Sequence, residues 1–173
     1  MILTLKFSGF GLGNCNILKN NQLFASLKKG IFSSKMQVKH ESSDLIIKEK
    51  DSDRKMVQIF NLGSDQPVAE TTLNGKEDLF KDSVKFGSTV AYVTIGENEF
   101  ALLEMQAAPS QFVWVDRNKK EVIHYDITNL EKIAKKPLKF GCYSMSFVPD
   151  APGQEHLLLL FMGIYLLQRS VLK

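Results

Sequence analysis

Three histidines, two cysteines and one close aspartate pair are the side chains from which metal or nucleophilic chemistry would have to be built in this chain. His40, His124 and His156 stand at no metal-ligand spacing, and neither Cys15 nor Cys142 has a partner at CxxC distance. His124 alternates with Val122 and Asp126 in VIHYDI, which puts it on the more polar face of a strand as a structural or solvent-facing residue. Asp51 and Asp53 have the opening of a calcium loop but lack its glycine and its distal glutamate, and read as a solvated turn. Gly9, Gly11 and Gly13 follow the strand-like ILTLKF, where a phosphate loop would lie. Such a loop needs a helix whose N-terminus faces the phosphates, and NCNILKNNQLF has no apolar helical face. The residues therefore predict no catalytic group, no cofactor and no metal, and a protein that is not an enzyme.

The elements that would carry any function are hairpins. Residues 110–127 hold two apolar runs, 112–115 and 122–127, around a polar turn, 116–121. The same pattern recurs at 44–62 (DLII, KEKDSDRK, MVQIFNL), at 89–105 (TVAYVTI, GENE, FALLEM) and at 156–168 (HLLLLF, MG, IYLLQ). Twelve Phe and four Tyr among β-branched runs favour strands. Alternation predicts Val57, Ile59, Val90, Tyr92, Val113, Ile123, Tyr125, Leu158 and Leu160 as inward-facing core. The 173 residues suit one β-repeat domain, with passes at 15–73, 83–138 and 142–173 joined by polar connectors at 74–82 and 128–137. Thr128-Asn129-Leu130-Glu131 has the form of a capping box, so the second connector is expected to hold a short helix ended by Pro137. The passes match at near-constant offset: Leu23 falls on Val90 and Leu45 on Phe112, each 67 residues apart.

Charge is uneven. The net charge is +3, yet residues 1–40 carry Lys6, Lys19, Lys28, Lys29, Lys35 and Lys39 and no acid. Lys28, Lys29, Lys35 and Lys39, with Phe24 and Phe32 nearby, form a candidate anion contact, although +3 is too small an excess to favour a nucleic acid as the main partner. Two cysteines and no framework point to a reducing, intracellular setting, cytoplasmic or nuclear. The acid-free N-terminus leaves a mitochondrial transit segment as the alternative. No stretch reaches the roughly 18 apolar residues of a membrane span. Residues 157–167 are apolar for 11 positions with Gly163 inside, which reads as a buried hairpin.

Three segments resemble the blades of WD-repeat β-propellers. SMSFVPD (144–150) is similar to a first inner strand and its turn, and VIHYDI (122–127) and VQIFNL (57–62) are similar to the strand that usually ends in Trp-Asp. Tyr125-Asp126 and Phe60-Asn61 occupy that place here, and the Gly-His dipeptide is missing. The resemblance implies an all-β fold of repeated antiparallel hairpins, a small or incomplete propeller. The alternative is a closed antiparallel β-barrel, which would bind a small apolar molecule. An incomplete propeller leaves strand edges that need covering. The C-terminal hairpin, apolar on both faces, is the expected partner-binding edge through Leu157, Leu159, Phe161, Ile164, Tyr165 and Leu167. The function expected is a non-catalytic scaffold or protein-interaction module, one subunit of a larger complex.

Overall fold

Alternation of apolar and polar side chains makes most of this chain into sheet. The computed structural model describes residues 1–8, 14–30, 33–50, 53–72, 86–106, 108–126, 142–147 and 152–171. Among the described residues twelve strands run in chain order: β1 (Ile2–Ser8), β2 (Asn14–Lys19), β3 (Gln22–Lys29), β4 (Met36–His40), β5 (Ser43–Lys50), β6 (Asp53–Asn61), β7 (Pro67–Thr72), β8 (Phe86–Ile95), β9 (Asn98–Met105), β10 (Ala108–Asp116), β11 (Glu121–Asp126) and β12 (Cys142–Phe147). One helix, α1 (Gln154–Val171), follows. The connectors at 74–82 and 128–137, with the short helix expected in the second, lie outside the described residues, as do the glycine loop at 9–13 and Asp51.

Each strand pairs antiparallel with the next, and β1 also pairs with β12 through Ile2↔Ser146 and Leu5↔Tyr143. The ring therefore closes as a barrel. All-β architecture is what the sequence leads one to expect, but separate propeller blades are not formed. Hairpins such as β5–β6 and β10–β11 are consecutive staves of one sheet, hydrogen-bonded to the neighbouring hairpins as well as within themselves. The N-terminal residues, a transit segment in one reading, are a stave of that ring.

The short turns explain the register at one rim. Asn20 and Asn21 have φ of 52° and 64°, the pair of left-handed residues that a two-residue type I′ hairpin demands. Asp116 accepts the backbone N–H of Asn118 and Lys120 on Oδ1 at 2.8 and 2.9 Å, which shapes the β10–β11 turn.

The largest departure from expectation is the C-terminus. Residues 156–168 are not a hairpin but the middle of α1. A continuous apolar run does not distinguish strand from buried helix by periodicity. Residue type decides it: Leu, Met and Gln favour helix, and Ile164 is the single β-branched residue from 154 to 168. The helix starts at Gly153, whose carbonyl accepts from His156 N (3.1 Å) and Leu157 N (3.3 Å). In return Gly153 N–H donates to His156 Nδ1 at 2.8 Å, a reciprocal cap, and Glu155 sits in the positive first turn.

That helix fills the barrel. Leu158–Leu160, Phe161, Met162, Ile164, Tyr165 and Leu167 pack in one cluster with Leu3, Ile17, Leu27, Val38, Ile47, Ile59, Leu102, Trp114 and Ile123 from around the ring. A helix apolar on every side must be buried on every side, and a closed sheet supplies that. Of the predicted core residues, Val57, Ile59, Ile123 and Tyr125 face this interior, and Val90 is half-buried against it. Tyr92 and Val113 are buried on the opposite face, with Ala101, Leu103 and Val115, because β8 to β10 are apolar on both sides. Leu158 and Leu160 are buried as helix residues.

Candidate interaction surface

In the interior, Trp114, Tyr125 and α1 are locked together. Trp114 Nε1 donates to Tyr125 Oη at 3.1 Å, and Tyr125 Oη lies 3.1 and 3.2 Å from the Leu159 and Leu160 carbonyls. This approach needs a glycine: a Cβ on Gly163 would stand 2.2 Å from Tyr125 Oη and 2.8 Å from Trp114 Nε1. Burial pushes the Tyr125 phenol pKa upward, so it stays a neutral donor.

The six residues expected to meet a partner are inside this assembly. Leu159, Phe161, Ile164, Tyr165 and Leu167 are buried by the barrel wall, and Leu157 is half-buried at its mouth. The need they express, to leave water, is met by the chain itself. The C-terminal segment is a helix inside the ring and not a strand at a sheet edge.

The histidines are separate from one another. His40 Nδ1 lies 2.9 Å from Ser42 Oγ and 3.3 Å from Ser42 N, and its ring meets Phe24 edge-on at 4.8 Å. Burial lowers its pKa, with Glu41 opposing. His124 Nε2 lies 2.7 Å from Glu121 Oε2. His156 is spent on the helix cap. No group of three metal-ligating side chains occurs among the described residues. Cys15 is buried, with its thiol pKa raised by desolvation.

A cleft of about 340 Å³ lies at the short-turn rim beside the start of α1. Arg117 pairs there with Glu99 at 2.7 Å, and Asn98 donates to Glu155 at 2.9 Å.

The outer wall of β3 to β6 is different. Lys28 and Lys39 are exposed on β3 and β4, on the face opposite Leu27 and Val38, and Lys35 is exposed just before β4. Lys35 immediately precedes Met36, which pairs with Ile47, the neighbour of Lys48 on β5. These two lysines flank a cleft of about 280 Å³ whose lining includes Ile46, Phe60 and the β6–β7 turn at Gly63, Ser64 and Asp65. Lys48 Nζ sits 4.6 Å from the centre of the Phe60 ring. Among the described residues, none of Lys28, Lys35, Lys39 and Lys48 has an ion pair, whereas Lys50 pairs with Glu70 at 3.2 Å. Glu70 is held further by Gln58. Three of the four lysines expected as anion contacts thus share this wall. Lys29 does not: it is half-buried, with Nζ 5.7 Å over the Tyr165 ring. Lys48 escapes notice in the sequence because KEKDSDRK reads as a charged turn, while β5 in fact runs on to Lys50.

No family model and no curated protein matches the chain. A crystal structure of a protein from Arabidopsis thaliana is similar in fold, with a TM-score of 0.62 over 98% of this chain and 91% of that one at 12% identity. That likeness concerns the fold alone. No helix among the described residues is long and apolar enough to cross a membrane.

Proposed function

We propose that this barrel is a non-catalytic interaction module, a subunit of a larger assembly that meets its protein partner on the outer wall of β3 to β6. One observation carries the reading: α1 fills the interior, and on the outer wall Lys28, Lys35, Lys39 and Lys48 cluster without an ion pair among the described residues. A barrel that bound a small apolar molecule would need the volume that Phe161, Met162 and Tyr165 occupy. The histidines and the short-turn cleft do not favour an enzyme either, since their polar groups are engaged in capping, turn and ion-pair roles.

Native mass spectrometry and lysine cross-linking of the full chain in extract test this. The expected results are a chain of 19.5 kDa carrying no added mass and partner cross-links on Lys28, Lys35, Lys39 or Lys48. A co-purifying lipophile, or cross-links confined to Lys119 and Lys120 on the β10–β11 turn, overturns the reading.

A further inference from the structure

We infer that the cleft between β4, β5 and the β6–β7 turn takes an extended acidic segment of a partner protein, with one apolar side chain seated on the floor between Lys35 and Lys48. This inference rests on the interaction-module reading and names the chemistry its wall would recognise.

The floor and the rim ask for different groups. Half-buried Ile46 supplies the open apolar part of the floor, with Phe60 beneath Lys48 beside it. Lys48 lies on β5 next to Ile47, which pairs with Met36, and Lys35 immediately precedes Met36, so both lysines border the same cleft. Two like charges bordering one cleft disfavour each other, and a carboxylate between them relieves that. Further along the wall Lys28 lies opposite Gln37, and Lys39 lies between Ser26 and the exposed Asp44, so a segment crossing β5, β4 and β3 meets staggered cations and is kept clear of Asp44 by like charge. Alternate side chains of such a segment repeat about every 7 Å, a spacing that suits acids flanking an apolar anchor. Asp65 lines the cleft as well and disfavours acids over the β6–β7 turn, which orients the segment toward β3.

A nucleic acid fits this wall less well. The cations at the cleft are Lys35 and Lys48, point charges without the planar fork with which arginine grips phosphate. The ring lining the cleft among the described residues, Phe60, is only 7% exposed and lies under Lys48, so it gives bases no stacking platform.

The test is fluorescence anisotropy of the full chain with a labelled EELEE peptide flanked by glycines. Binding should weaken about tenfold in the Lys35→Glu/Lys48→Glu double variant and fall with added salt, because the contact is electrostatic. EEGEE should bind several-fold more weakly than EELEE, since the anchor is lost. Circular dichroism checks that the variant is folded, and Lys35→Gln/Lys48→Gln provides a milder substitution with the same expected direction. Equal binding by wild type and both double variants, equal binding of KKLKK, or tighter binding of a 20-nucleotide single-stranded DNA or of phosphatidylserine vesicles overturns the inference. If EELEE fails while partner cross-links still fall on the outer wall, the acidic-segment inference fails alone. If the cross-links fall elsewhere, the module reading fails with it.

Discussion

At Gly163 the backbone of α1 comes against the Tyr125 ring with no room for a methyl group. Gly163→Ala would force its Cβ to 2.2 Å from Tyr125 Oη, so helix or ring must shift. Overpacking typically costs about 1–3 kcal/mol, and displacing Tyr125 Oη also leaves the buried Trp114 Nε1 without its acceptor. The midpoint of urea unfolding should fall even though alanine is the better helix former; an unchanged midpoint would show that the interior yields. His40 makes a second prediction, this time about pH. Its folded-state pKa lies below the ordinary value near 6.5, chiefly through burial. The unfolded chain therefore binds the proton more readily, and stability rises with pH. The contribution is present above about pH 6.5 and is lost as pH falls toward the depressed folded value. His40→Gln should flatten the pH dependence of the melting temperature between about pH 7 and 5. A slope as steep as that of wild type would assign the effect to other groups.

Among the elements, strands were far more legible than the helix. Hairpins at 44–62, 89–105 and 110–127 are visible in alternation and turn chemistry, and they form β5–β6, β8–β9 and β10–β11. Alternation also announces which residues are buried, but on β8 to β10 it does not say on which side, because both faces are apolar. Residues 154–171 look like strand for the same reason: burial on all sides erases the amphipathic signal that distinguishes helix from sheet. Met162-Gly163 then passes for a turn, whereas the glycine answers a tyrosine 38 positions earlier in the chain. The wall of lysines was readable as charge, but its grouping depends on strand register. The consequence for α1 is direct. Each of its eight side chains buried to 4% exposure or less contributes about 1.5–3 kcal/mol, together as much as the 5–15 kcal/mol that holds a whole domain. A chain ending before Gln154 should lose cooperative thermal unfolding and bind the dye ANS through its emptied interior. A sharp transition in that truncation would mean that the ring stands without its core.

The molecule as a whole depends on one seam between distant parts of the chain. Eleven of the twelve pairings join consecutive strands, while β1 must find β12 with residues 2–6 facing 142–146. Closing so long a loop is entropically costly and is repaid only when the ring is complete. The seam does two things. It removes the last pair of free strand edges, which would otherwise template association with other chains. It also covers β2, where Phe7 lies opposite Cys15. Cys15 is 1% exposed in the closed ring, and burial holds its thiol in the unreactive protonated form. Deleting residues 1–8 in a Cys142→Ser background should therefore have two linked effects. The thiol of Cys15 should react with maleimide at least about tenfold faster than in the full-length Cys142→Ser chain, since only the thiolate is the nucleophile and access is now open. The shortened chain should also leave a sizing column as oligomers, through the bared edges of β2 and β12. Oligomers with a protected Cys15 would mean that a second chain replaces β1 in the seam. A monomer with a protected Cys15 would contradict the closure itself, because it would show that the interior is sealed without β1.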